Sequence, residues 1–166
     1  YYGQFLAYQG RLDQSLREGE RAARQAPDDA LVQGLWAQIL TWVHRLDEAE
    51  STLTRARRFN PDAPYLLSML RTTYHLQGRD SLAMGSWRDT YRVSGDLEAL
   101  DALETGYQRG GYAQALRSVA ELFENRRANG APVSEWQVGT LYTRAGDRDK
   151  AIEYLTLALD EGDPKS

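Results

Sequence analysis

The sequence repeats itself with a step of 34 residues. Pro27 and Pro61 stand one step apart. Gly10, His44 and Gly78 form a second series, Leu6, Leu40 and Tyr74 a third, and Ala22, Ala56 and Thr90 a fourth. Leu12 pairs with Leu46 in the same way. A chain of this kind is built from copies of one supersecondary unit, each of which can bury its apolar face only against its neighbours. Beyond Gly78 the step shortens to 32 at Gly110 and lengthens to 36 at Gly146, with the extra length placed in Asn129-Gly130-Ala131-Pro132.

Each copy reads as two helices. A small residue is needed where the two cross, and Ser15, Ala49, Ala83, Ala115 and Ala151 occupy that register. Leu53, Trp87, Val119 and Leu155 share a second register that fills the gap between helices. Glycine at the turn lets the first helix end in a left-handed conformation, a role read for Gly10, Gly78, Gly110 and Gly146, with His44 as the exception. The turns predict helices over 1–9, 12–25, 29–43, 46–58, 62–76, 80–93, 96–109, 112–128, 134–145 and 148–161. Asp28-Asp29, Asp62 and Asp96 are placed at helix starts, where a carboxylate caps free N–H groups and suits the helix dipole. No strand pattern competes.

These residues resemble those of the tetratricopeptide repeat family. The second repeat carries Trp36-Ala37, Leu40, Leu46, Ala49, Leu53, Ala56 and Pro61. The fifth carries Gly139, Tyr142, Gly146, Asp147, Ala151, Leu155 and Ala158. The resemblance implies an all-α fold, a right-handed α-solenoid of about five helix-turn-helix repeats over 1–27, 28–61, 62–95, 96–131 and 132–166. Three positions depart from the family pattern: Gly19 replaces a bulky residue, Arg71 a small one and Gly106 an aromatic. In the C-terminal half, Gly106-Tyr107, Gly110-Gly111-Tyr112, Ala115-Leu116, Leu141-Tyr142, Gly146-Asp147 and Ala151-Ile152-Glu153 resemble the repeat region of multidomain bacterial regulators.

The chemistry of the side chains points away from catalysis. The chain has no cysteine, which removes thiol catalysis, thiolate metal sites and disulfides. It has two histidines: His44 at an inter-helix turn, and His75, whose i+3 and i+4 neighbours are Gly78 and Arg79. No metal site and no cofactor is expected. There is no glycine-rich phosphate loop, no Gly-x-Ser-x-Gly and no His-Glu-x-x-His. The net charge of −4 disfavours nucleic acid as the partner, and no apolar run reaches the roughly 20 residues of a membrane span. The expectation is a non-enzyme.

The resemblance also implies where a partner would sit, because the first helix of each repeat lines the concave surface in this family. Helical spacing then gives Tyr8 in the first repeat, Leu35, Gln38 and Trp42 in the second, and Tyr65, Met69, Thr72 and His75 in the third. Tyr107 follows in the fourth, and Trp136 and Thr140 in the fifth. Some members grip a C-terminal carboxylate with Lys, Asn and Arg on this face. Here the matching places hold Gly34, Gln38, Leu35 and Met69, so that clamp is not expected. The functional expectation is a protein–protein interaction scaffold that holds a peptide or helix in an aromatic groove, as part of a bacterial regulatory or signalling protein. An assembly scaffold for secretion or the envelope, and a small-ligand sensor, stay open as alternatives. The last helix carries Ile152, Tyr154, Leu155, Leu157 and Leu159 on more than one face. Both ends of the array are therefore expected to be covered, by more chain, further domains or a second copy.

Overall fold

The computed structural model describes residues 1–161, which form helices and, among the described residues, no strand. The order is α1 (Tyr2–Tyr8), α2 (Leu12–Gln25), α3 (Ala30–Trp42), α4 (Leu46–Arg57), α5 (Pro64–Leu76), α6 (Asp80–Ser94), α7 (Leu97–Ala128), α8 (Glu135–Ala145) and α9 (Arg148–Glu161). The fold is all-α and of the helical-repeat kind. Positions 162–166 of the expected last repeat lie outside the described residues.

The repeat step is visible in the backbone. At Gly10, His44, Gly78 and Gly146 the chain turns with φ of 73°, 58°, 68° and 75°. At each, the N–H of the turning residue donates three residues back: Gly10 to Ala7, His44 to Thr41, Gly78 to His75 and Gly146 to Thr143. The next N–H donates five back: Arg11 to Leu6, Arg45 to Leu40, Arg79 to Tyr74 and Asp147 to Tyr142. This is the Schellman closure, which satisfies carbonyls that a helix end leaves orphaned. His44 makes it at a positive φ where its relatives in the series are glycine, which fits its reading as a turn residue.

The fourth copy turns differently. Gly110 and Gly111 interrupt α7, and it is Gly111, not Gly110, that takes the conformation reserved for glycine, at φ 72° and ψ −158°. The expected break between two helices is thus present as a kink within one assigned helix. Capping by Asp29 and Asp96 is as expected: their carboxylates accept from Val32 N at 2.9 Å and Ala99 N at 3.1 Å. Asp62 does not cap. The fifth helix begins later, with Pro64 in its first turn and Ala63 before it, since proline needs no N–H partner there. Ser134 and Gln137 cap each other at the start of α8.

The chain divides into two compact units, Tyr1–Ser94 and Gly95–Ser166. In the first, α1 packs on α2, α3 on α4 and α5 on α6. The first helices also lie side by side, α1 against α3 and α3 against α5. Its core joins Trp36, Ala37, Ile39, Leu40, Ala49, Leu53, Ala56, Leu66, Met69 and Leu70. In the second unit α8 packs on α7 and α9 on α8. The small-residue register is buried throughout, with Ser15, Ala49, Ala83 and Ala115 fully covered and Ala151 nearly so. Gln33 secures the α2–α3 junction from inside: its Nε2 donates to Ala23 O at 2.8 Å and Ala26 O at 2.9 Å. In α9, Ile152, Leu157 and Leu159 are exposed.

The three departures from the repeat pattern each have a packing partner. A Cβ on Gly19 would come within 2.6 Å of Trp36 Cε3 and 2.8 Å of Ile39 Cδ1, so large side chains of α3 fill the space left at position 19. Arg71 lies with its guanidinium carbon 4.1 Å from the Trp87 ring centre, and its Nη1 donates to Thr90 Oγ1 at 3.1 Å. The missing small residue is thus replaced by a cation–π stack. Gly106 is buried where the two arms of α7 approach: a Cβ there would lie 2.7 Å from Gln114 O and 2.8 Å from Ala115 Cα.

Candidate partner-binding face

Charge is sorted between the two helix sets of the first unit. The segments of α1, YGQFLAY, and α3, ALVQGLWAQILTW, contain no charged residue. The α5 segment contains one arginine, Arg71, whose guanidinium is turned onto Trp87 of α6. The charges sit on the second helices instead. Asp13, Arg17, Glu18, Glu20, Arg21 and Arg24 are on α2, and Asp47, Glu48, Glu50, Arg55 and Arg57 are on α4. Many are tied up locally, as in Arg24–Glu20 and Arg45–Glu48. The result is an uncharged surface on α1, α3 and α5, with charged helices behind it.

Aromatic rings occupy that surface. Tyr8 at the end of α1 and Trp42 at the end of α3 touch, with ring centres 5.2 Å apart and planes at 55°. Tyr8 is 79% exposed and Trp42 37%. Tyr65, half-buried at the start of α5, lies over Gly34; a side chain at position 34 would overlap its ring. Burial pushes the Tyr65 phenol above the usual tyrosine value, and the Tyr1 and Tyr8 phenols add to the shift. Leu35 and Gln38 are half-buried between these rings in sequence, on the same helix.

Not every expected residue is available to a partner. Met69 is only 6% exposed and belongs to the core with Leu66 and Leu70, so its expected role as a contact residue is corrected. Thr72 and His75 are half-buried, and the Thr72 hydroxyl donates to Ser68 O at 2.9 Å. Gln4, which helical spacing puts on the same lining, is buried with its amide donating to Leu35 O at 3.0 Å. It positions α1 on α3. In the second unit, Tyr107 on α7 is 37% exposed, Trp136 on α8 is 64% exposed, and Thr140 is half-buried. Helical spacing also overlooked Tyr1 and Phe5, both exposed. Their i, i+4, i+7 relation to Tyr8 was the signal that could have found them.

Elsewhere the ionisable groups form structural ties. Glu124 accepts from Tyr142 Oη at 2.6 Å and Lys150 Nζ at 3.0 Å. Glu135 is buried beside the Arg127 guanidinium. Arg126 binds Asp96 through two bonds, at 2.6 and 2.7 Å, and these hold the Asp96 carboxyl below its usual range. No helix of the described residues is long and apolar enough to cross a membrane.

The family model for the tetratricopeptide repeat matches residues 6–72, from the end of α1 through most of α5. No curated protein matches the chain. Tetratricopeptide repeats generally mediate protein–protein interaction, and the family is generally a non-catalytic module.

Proposed function

The tetratricopeptide repeat model matches residues 6–72, and from that match we propose that the chain is a non-catalytic module that holds a segment of a protein partner on the aromatic face of α1, α3 and α5. The observation that carries this reading is the sorting of charge. A surface free of charge, lined by exposed rings, gains by being covered, because apolar area leaves water without any ion having to be desolvated. Tyr and Trp are also the side chains most enriched at interface hot spots. Tyr8, Trp42 and Tyr65 are the central contacts in this reading, with Leu35 and Gln38 between them. Tyr107, Trp136 and Thr140 offer a second set of contacts on the second unit. The place of such a module in a bacterial regulatory protein rests on the sequence resemblance of residues 106–153.

Selection of a displayed random-peptide library on the purified chain tests this reading. Enriched peptides should bind the chain and the off-face variant Arg24→Ala equally, and lose binding to the double variant Tyr8→Ala/Trp42→Ala. Far-UV circular dichroism checks that the double variant remains folded. Peptides that bind the double variant as well as the parent chain would remove the face as the binding site.

A further inference from the structure

The repeat register shows which side of a helix meets the neighbouring repeat, and two helices expose that side. In the first unit α3 packs on α2 through Trp36 and Ile39, the two side chains that a Cβ on Gly19 would meet. Both are buried. The same places hold Leu70 and Thr73 in α5, and Val138 and Leu141 in α8, and all four are buried. In α1 they hold Tyr2 and Phe5, which are 60% and 53% exposed. So α1 presents in aromatic form the side that α3 lays against α2.

The second helices carry the other half of this contact. In α2 the places are Leu16 and Ala23: Ala23 belongs to the core with Trp36, and Leu16 packs against it. In α4 they are Glu50 and Arg57, whose charges pair with Arg79 and Asp89 of the next repeat. In α7 they are Leu116, fully buried, and Phe123, half-buried. In α9 they are Ile152 and Leu159, which are 55% and 76% exposed. Leu155 shares their side of the helix and is half-buried, where its equivalents Leu53 and Val119 are fully buried. Thr156 completes the stripe, so no charge interrupts it.

The two exposed sides are the two halves of one junction. Within the first unit this register joins a first helix to the second helix before it, so the side shown by α1 fits the side shown by α9. The α1 segment carries no charge and neither does the α9 stripe, so their contact takes apolar area out of water with no ion to desolvate.

We propose that the partner covering α9 is a second copy of this chain, whose α1 seats on Ile152, Leu155 and Leu159 through Tyr2 and Phe5, as α3 seats on α2. The contact is heterologous, one side from each copy, so each pair still offers one free half of either kind. It goes beyond the peptide-binding reading, whose central contacts are Tyr8, Trp42 and Tyr65.

Sedimentation velocity and light scattering on the whole chain, in a concentration series up to about 1 mM, test this. The variants are Phe5→Glu, which blocks α1, Leu159→Glu, which blocks α9, and Phe59→Glu, at an exposed aromatic between α4 and α5. Far-UV circular dichroism checks the fold of each, and Phe5→Ser or Leu159→Ser replaces a blocking variant that fails to fold. The parent chain and Phe59→Glu should rise in mass with concentration, above that of one chain. Phe5→Glu and Leu159→Glu should each stay monomeric alone. Mixed in equal amounts, these two should form pairs of one copy each, because the mixture holds one intact α1 side and one intact α9 side. A parent chain that stays monomeric through the series overturns the inference. So does assembly that survives either blocking variant, that is lost in Phe59→Glu, or that the mixture does not restore as pairs, since each result puts the contact on another surface.

Discussion

Adding a single methyl group at two helix-interior glycines should raise stability at one and not at the other. Gly85 lies in α6, and a Cβ there meets nothing within 4 Å. Alanine at this position should therefore show only its intrinsic advantage in a helix, about 1 kcal/mol. Gly106 lies in α7 and has the same intrinsic advantage to gain. Its Cβ would stand 2.7 Å from Gln114 O and 2.8 Å from Ala115 Cα, against roughly 3.5–4.0 Å for an unstrained carbon contact. Both neighbours are backbone atoms, so no side-chain rotation relieves the overlap. The arms of α7 would have to part by about 1 Å, loosening Leu103, Leu116 and Val119, which are fully buried. Overpacking of this kind costs about 1–3 kcal/mol. Gly106→Ala is therefore neutral to about 2 kcal/mol destabilising. The gap between the two variants, about 1–3 kcal/mol, is the overpacking cost alone, because the propensity term is common to both. Urea unfolding followed by far-UV circular dichroism measures it, provided the m-values stay constant. If Gly106→Ala is stabilised as much as Gly85→Ala, the close approach of the two arms is wrong, and with it the reason for glycine at a position where the repeat pattern has an aromatic.

Two other perturbations follow from the core and the ion pairs. Ser15 is fully buried with its hydroxyl unpartnered among the described residues, while the equivalent positions are alanine. Ser15→Ala should raise stability by about 1 kcal/mol, read as a higher urea midpoint, and a lower midpoint would show that the hydroxyl has a partner. Asp96 is held below its ordinary value of 3.8 by Arg126, so its contribution is full above that value and is lost as pH falls through the lower folded value. Asp96→Asn should therefore flatten the fall in stability of the second unit below about pH 4, with little change in that slope at neutral pH. An unchanged acid slope would count against the pair.

The repeat and its turns were legible because they rest on local rules. A left-handed closure needs glycine or a tolerant polar residue, and the sequence places Gly10, His44, Gly78 and Gly146 where the backbone turns. The small-residue register was legible for a similar reason: two crossing helices leave no room for more than a methyl or hydroxymethyl group. The α5 start was misplaced because Asp62 looks like a cap, while Pro64 two residues on is the better first-turn residue. The left-handed glycine of α7 was misplaced by one residue because Gly110-Gly111 offers two candidates and local sequence does not choose between them.

The candidate face was legible only in part. Spacing put Tyr8, Trp42 and Tyr65 on the first helices of their repeats, and the structure exposes all three at least partly. It also put Met69 there, although that side chain is buried in the core with Leu66 and Leu70. A helical wheel fixes the direction of a side chain about its own axis, not how far the next helix reaches over it. The sequence by itself therefore determined an all-helical repeat, where the repeats turn, and which helices carry no charge. Tertiary structure alone decided that Trp36 and Ile39 fill the space at Gly19, that Arg71 turns onto Trp87, and that Tyr8 meets Trp42. Those contacts join residues far apart in the chain, and their geometry depends on how one helix seats against another, which no local rule specifies.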